Sequence, residues 1–386
     1  MKNSTRKICI ITTVSLSIKS FFLEQIAYLC EHGYKVTVIC DLDKELINFL
    51  HPEVKYIPVP MKRGVELVGA FKAIKKMYQI FKENKFDIVQ YSTPNAALYA
   101  SVASRLADIR IRLYHNMGYR YVASEGIKRI IFKAVEKITC SLSTEIQPVS
   151  FSNLEFGVKE KLFSKSRARV IWNGSTGGVD LRKFDIRKKE EWKEEIYSQY
   201  GIQPGTFVFG FVGRITKDKG INELLEAYKE LSLKSRNTKL MLVGNEENID
   251  SLNSEIYIWA KARQDIIFTG ETQEVYKYFA SFNVMILPSY REGFGNVVIE
   301  AQAMGVPVIV SDIPGPTDCI IKGTTGWVVE AKNIDKLQES IEYAYRNPDV
   351  CRQMSSNAYM YVKQNFDSGE LVKHILADRQ RLIEEE

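Results

Sequence analysis

The amino-acid sequence predicts an α/β protein built of two doubly wound domains that face each other across a cleft. Three observations carry this expectation. At 386 residues the chain is long enough for two domains of ordinary size, each burying its own core. Short, nearly continuous apolar runs alternate with helical patterns in both halves, as in parallel sheets covered on both faces. Two of these apolar runs lead through glycine-flanked, charged turns into helix starts, and open α/β sheets bind ligands at such strand ends.

From the N-terminus, Lys2, Arg6 and Lys7 precede an apolar stretch in the manner of a signal peptide. That stretch covers only Ile8 to Ile11, and no small-residue cleavage site follows before Lys19, so 7–13 reads as the first strand. Further strands are expected at 35–40, 54–57, 86–91, 110–115, 144–149 and 168–172, with helices at 18–32, 64–84, 95–107 and 126–140. The second half repeats the rhythm, with strands near 206–212, 238–243, 265–269, 283–288, 307–310 and 326–329. The charged stretch 187–195 reads as the inter-domain connection. The expected domains are 1–185 and 186–368, with a final helix at about 369–386 returning to the first. No uncharged apolar run approaches the ~18 residues that span a bilayer.

Residues 1–185 hold 29 lysines and arginines against 17 acids, whereas the remainder holds 24 against 30. A basic first half facing an acidic second half implies an anionic partner for the first. No nucleic-acid motif accompanies the charge, so an anionic membrane surface is the expected partner and nucleic acid is not. The basic residues concentrate on two amphipathic patterns, 65–82 and 127–137. Their cations Lys75, Lys76, Lys82, Lys128, Arg129 and Lys133 suit either a solvated helix face or docking to anionic lipid. The six cysteines form no Cys-x-x-Cys pair and lie mostly in apolar runs, as small core residues of a reducing compartment do.

Two turns carry the chemistry. In Gly213-Arg214-Ile-Thr-Lys-Asp-Lys219-Gly220 a strand meets a helix start with two cations. Arginine offers a planar fork to phosphate oxygens and lysine a point charge. In Glu292-Gly-Phe-Gly-Asn-Val-Val-Ile-Glu300 a strand meets a helix start with two carboxylates, and the bare amides of such a helix end suit an anion. One acid beside the phosphates and one a turn into the helix suit a sugar nucleotide; a solvated loop acid and a surface helix acid are the plainer reading.

Together these residues resemble the retaining glycosyltransferases of family four, which have the GT-B fold of two Rossmann-like domains. Gly178-Val179-Asp180 with Phe184, Leu242-Val243-Gly244, Phe268-Thr269-Gly270, Pro288-Ser289, Ala303-Met304-Gly305-Val306-Pro307 and Gly326-Trp327 add to the likeness, which is strong from about 165 to 365 and looser before. The resemblance implies that Arg214 and Lys219 neutralise the diphosphate of a UDP-sugar. It implies that Glu292 contacts the sugar hydroxyls and that Glu300 accepts from both ribose hydroxyls. The amides of Gly293, Phe294, Gly295 and Asn296 complete the donor site, and the base rests near Gly244 and near Thr269 and Gly270. His115, at a strand end before Asn116-Met117-Gly118, matches a family histidine near the sugar. A Gly-Gly loop common in relatives after the first strand is replaced here by Thr12-Thr-Val-Ser15-Leu-Ser17-Ile-Lys19. The candidate acceptor-side residues Ser15, Ser17 and Lys19 therefore depart from the pattern.

The function so implied is transfer of a hexose or N-acetylhexosamine from a UDP-sugar to a lipid-linked, polyprenyl diphosphate saccharide in cell-surface polysaccharide synthesis, at the cytoplasmic face of the membrane. No cofactor or metal is expected. Asp41-Leu42-Asp43 has the form of an Asp-x-Asp metal motif but lies far in sequence from the phosphate turns. The family offers no dedicated nucleophile, so front-face attack is favoured over a covalent intermediate of the retaining-glycosidase kind. A UDP-sugar epimerase of the same fold, or a non-catalytic nucleotide-sugar-binding protein, are the alternatives. A dinucleotide oxidoreductase is weaker, since no Gly-x-Gly-x-x-Gly follows the first strand.

Overall fold

The structure is a computed structural model that describes residues 6–61 and 67–385. The chain folds into two units, Met1–Gly177 with Ser368–Glu386, and Gly178–Asp367.

In the first unit six strands, β1 (Lys7–Ile11), β2 (Lys35–Cys40), β3 (Lys55–Pro58), β4 (Ile88–Tyr91), β5 (Ile111–Asn116) and β6 (Glu145–Pro148), form a sheet of order β3-β2-β1-β4-β5-β6. Every pairing is parallel. Side chains of β1 alternate between two cores, because successive residues of a strand point to opposite faces. Cys9 and Ile11 enter a core with Met77 and Phe81 of the helix Leu67–Asn84 and with Ala96, Ala100 and Ala103 of the helix Pro94–Leu106. Ile8 and Ile10 enter the other, with Ile26 and Leu29 of the helix Leu23–Glu31 and Leu376 and Leu382 of the final helix, Ser368–Glu384. The last helix thus closes one face of this sheet. It also brings the fully buried Arg379 to Gln90 of β4, 3.0 Å away.

The second unit repeats the plan with β7 (Phe207–Val212), β8 (Thr238–Val243), β9 (Ile266–Gly270), β10 (Val284–Leu287), β11 (Val308–Ser311) and β12 (Gly326–Val329), in the order β12-β11-β10-β7-β8-β9. Read from β9, this is the topology of the first sheet. In each unit the winding direction reverses beside the first strand, between β1 and β4 and between β7 and β10. Among the described residues, no helix is long and apolar enough to cross a membrane.

Four expectations change. The helix expected over 18–32 is two helices, Ser15–Phe21 and Leu23–Glu31, parted at the fully buried Phe22, whose ring meets His115 edge-on. The segment 168–172 is not a strand: it makes one bridge, Ile146 to Ala168, and then turns through Trp172 at φ +50°. The stretch 187–195 is no linker. It runs from a short 3-10 turn, Ile186–Lys188, into the helix Lys189–Gln199, which buries Trp192 and Ile196 in the second unit, and that unit already begins at Gly178, where Val179 N donates to Phe366 O. A helix was not anticipated at Phe151–Lys159, capped by Ser150. The start of the expected helix 64–84, with Val65, lies outside the described residues; the described part begins at Leu67.

Candidate active site

Both charged turns of the second unit leave the carboxyl ends of the strands that flank its winding reversal, where open sheets part and ligands bind. The loop after β7 is tied to the end of β8: Gly213 N donates to Val243 O at 2.9 Å and Ile215 N to Asn245 O at 2.8 Å. Gly244 is required there. It sits at φ +145°, and a Cβ on it would lie 2.0 Å from Gly213 O. Its N–H donates to Gly270 O at 2.9 Å, and Thr269 Oγ1 donates to the same oxygen at 3.0 Å. Arg214 extends to Glu247, Nη1 to Oε2 3.0 Å, with its side chain 47% exposed. Arg214, Gly244, Thr269 and Gly270 therefore gather at one rim of the sheet.

The loop after β10 crosses directly over the other turn. Gly220, at φ +74°, passes so close beneath Pro288 that a Cβ would lie 2.1 Å from its carbonyl oxygen. Beside that crossing Lys219 Nζ donates to Glu292 Oε1 at 2.5 Å, and Ser289 Oγ donates to the same oxygen at 2.8 Å. The Lys219 and Glu292 side chains are only 18% and 14% exposed, so this cation and carboxylate are held together with little solvent around them.

Gly295 caps the helix Asn296–Ala303, so the main chain of Gly293 to Asn296 forms the helix start the sequence suggested. The Phe294 ring itself turns inward, 2% exposed and edge-on to Phe366 at 5.5 Å, so this residue has only main chain to offer a ligand. Behind the turn the Cys319 thiol donates to Phe294 O at 3.1 Å. One turn into the helix, Glu300 is partly exposed, yet burial around its carboxyl pushes it up to about 7 against a lesser opposing pull from Lys183.

In the first unit His115 ends β5. It is buried, with Nδ1 3.1 Å from Ser92 Oγ, and burial, aided by the charge of Arg379, lowers it to about 3. At neutral pH it is a neutral imidazole. Nearby, the turns after β1 and β4 are joined by hydroxyls: Thr13 N donates to Thr93 Oγ1 at 2.9 Å, and the two Oγ1 atoms lie 2.8 Å apart. Lys19 Nζ pairs with Asp43 Oδ2 at 2.7 Å. Hydrogen bonds from Lys19, Ser15 and the Glu45 amide hold Asp43 down to about 2. Ser15 and Lys19 are thus engaged with the second acid of the Asp-x-Asp, and Ser17 lies in the same helix, partly exposed. Among the described residues no group of three or more His, Cys, Asp or Glu is placed to hold a metal ion.

Several contributors were not singled out from sequence: Ser92 beside His115, Lys183 near Glu300, and Asp218, Glu223, Tyr290 and Arg291 around the crossing turns. The acid before Lys219 and the base before Glu292 were visible signals. Nothing local marked them as partners.

The chain matches the family model described as "Glycosyl transferases group 1" over residues 193–361 and the one described as "Glycosyl transferase 4-like" over 7–149. It is 31% identical over 368 residues, 95% of this chain and 94% of the relative, to the capsular polysaccharide biosynthesis glycosyltransferase CapM of Staphylococcus aureus. It is 25% identical over 360 residues, 92% of this chain and 90% of the other, to the UDP-Gal:alpha-D-GlcNAc-diphosphoundecaprenol alpha-1,3-galactosyltransferase of Escherichia coli. Among solved structures it is similar in fold to a glycosyltransferase from Rickettsia africae. That match has a TM-score of 0.79 at 20% identity and covers 98% of this chain and 99% of the other.

Proposed function

Because the chain belongs to the group 1 glycosyltransferases of GT-B fold, we propose that it is a retaining, metal-independent hexosyltransferase using a UDP-sugar. Its acceptor would be a polyprenyl diphosphate-linked saccharide and its product a cell-surface polysaccharide precursor. The names of the staphylococcal and E. coli relatives support the acceptor class and the pathway. The observation that carries the reading is the Lys219–Glu292 pair at the crossing of the two turns. It sets a cation for the diphosphate beside a carboxylate for sugar hydroxyls, at the winding reversal of the sheet.

In this reading Arg214 and Lys219 neutralise the diphosphate and take up the charge that develops as UDP departs, with the helix start at 293–296 adding amides. Glu292 accepts from hydroxyls of the transferred sugar. Glu300, when ionised, accepts from both ribose hydroxyls, and the base rests by Gly244 and by Thr269 and Gly270. In the first unit His115 offers a neutral imidazole for a sugar hydroxyl. The acceptor oxygen attacks the anomeric carbon on the face UDP leaves, and its proton passes to the departing phosphate oxygen. The cations and the helix end occupy the role a metal would take.

Association with an anionic membrane surface on the cytoplasmic side is part of the same proposal. The helices Leu67–Asn84 and Gly126–Leu142 expose Lys75 and Lys128 and also the apolar Phe71, Ile127 and Ile130, the last three 69–74% exposed. Cations beside exposed apolar side chains are the composition of an interfacial helix.

A screen of nucleotide sugars, read by UDP release with and without EDTA, tests the reading. Turnover of one UDP-sugar that survives chelation is the expected result. Turnover abolished by EDTA and restored by Mg²⁺ or Mn²⁺ would remove metal independence, and none with any donor would leave a binding protein.

A further inference from the structure

Beside Lys219–Glu292 a second ion pair crosses between the turns. Asp218, immediately before Lys219, faces Arg291, immediately before Glu292, with Arg291 Nη2 3.2 Å from Asp218 Oδ2. Acid and base are exchanged between the neighbouring pairs, so each turn contributes one of each and the crossing is electrically balanced. The main chain repeats the link, since Tyr290 N donates to Asp218 O at 2.9 Å. Tyr290 OH then reaches Glu223 in the first turn of the helix Ile221–Lys234. Asp218 is gripped from its other side by Thr216 Oγ1 at 2.6 Å. Burial opposes its ionisation, but the Thr216 hydroxyl and the charges of Arg291, Arg214 and Lys219 outweigh that and lower its carboxyl.

The two pairs face different demands. In the proposed donor site Lys219 faces the diphosphate and Glu292 the sugar, so donor binding competes with their mutual bridge. Without a second ion pair, the two turns would then be joined by the main-chain hydrogen bond from Tyr290 to Asp218, the Tyr290 hydroxyl on Glu223 and the crossing at Gly220. We propose that Asp218 and Arg291 form a brace that stays closed while the Lys219–Glu292 bridge opens, keeping the two turns in register through turnover. They are positioning residues: they act on the donor only through Lys219 and Glu292. The inference rests on the donor-site reading above.

A double-mutant cycle tests it, with Asp218→Asn, Arg291→Gln and both together, read as kcat, donor KM and UDP affinity by calorimetry. Misplacing reacting groups by a fraction of an ångström is expected to lower kcat about 10-fold in each single variant, with the double variant no worse than the weaker single. UDP affinity should change by less than about 3-fold, because its direct ligands remain. Arg291→Lys should recover most of the lost kcat. The neutral double variant guards against the case in which a lone half-buried charge simply impairs folding. Additive losses would overturn the brace. So would a harmless Asp218→Asn beside a crippling Arg291→Gln with weakened UDP binding, since Arg291 would then serve the donor directly. A wild-type protein that turns over no donor would instead take the donor-site reading with it.

Discussion

The two units share one topology and differ in what they place at its reversal point. Between β1 and β4 the adjoining turns are joined by threonine hydroxyls, Thr13 to Thr93, and the nearby His115 is held neutral. Between β7 and β10 the turns are joined by two ion pairs and a glycine crossing. Even the excess charge is divided, since basic residues outnumber acidic ones up to 185 and the reverse holds after it. The scaffold supplies the same crevice twice, and side-chain chemistry decides its use. Paired charges in a poorly solvated crossing suit a diphosphate sugar, and neutral hydrogen-bonding groups suit an uncharged hydroxyl.

The most damaging challenge to this contrast is Lys219→Met. Loss of a preorganised cation facing developing phosphate charge should lower kcat by about 10²–10³-fold, read as UDP release in a variant whose circular dichroism is native. Turnover within a few-fold of the native enzyme would mean that the charged crossing of the second unit is not where the donor reacts.

Glu300→Gln should lower UDP affinity about 10-fold at pH 8, because an ionised acceptor of two hydroxyls is replaced by a neutral one. With the carboxyl raised from its ordinary 4.5 to about 7, the native affinity should climb as pH rises through 7, and the variant should lose that climb. The linked stability has the opposite sense. The folded state resists ionisation of Glu300, so stability present below about pH 4.5 is lost as pH rises through 7. Glutamine should therefore raise the thermal stability at pH 8 by up to ~3 kcal/mol. A flat native pH profile for UDP binding would separate Glu300 from the ribose.

The smallest expected effect concerns the first unit. Ile127→Ser with Ile130→Ser should weaken co-sedimentation with anionic vesicles several-fold while leaving its salt dependence, since the apolar contribution of side chains that dip only partly into the interface is independent of charge. Lys75→Gln with Lys128→Gln should instead flatten the salt dependence, because exposed cations add about 1 kcal/mol each and are screened. Neutral and anionic vesicles bound equally by the native protein would make the basic face ordinary solvated surface.

The strands were legible because each is a nearly continuous apolar run bounded by turn residues, and twelve of the thirteen expected segments are strands. The exception, 168–172, has the right composition but no neighbour to pair with beyond Ala168, and sheet pairing is not a local property. The charged stretch 187–195 misled for the same reason. Trp192 finds its neighbour only once the helix Val275–Ser281 is in place, where its ring lies 4.6 Å from that of Tyr276. At the candidate site, the two turns that hold Arg214, Lys219, Glu292 and Glu300 stood out because glycines and charge cluster within a few residues at two strand ends.

Which charge meets which could not be read in this way. Lys219 and Glu292 stand 73 residues apart and touch because β7 pairs with β10 in a particular register, with Pro288 passing over a glycine. The same register pairs Asp218 with Arg291. Elsewhere, folding brings Lys19 to Asp43 and turns Phe294 inward onto Phe366. Local sequence carries propensity and charge, and these act over a turn or two of chain. Pairing, desolvation and the direction of a side chain are sums over neighbours that arrive from distant segments, so they exist only when the sheet has closed around them.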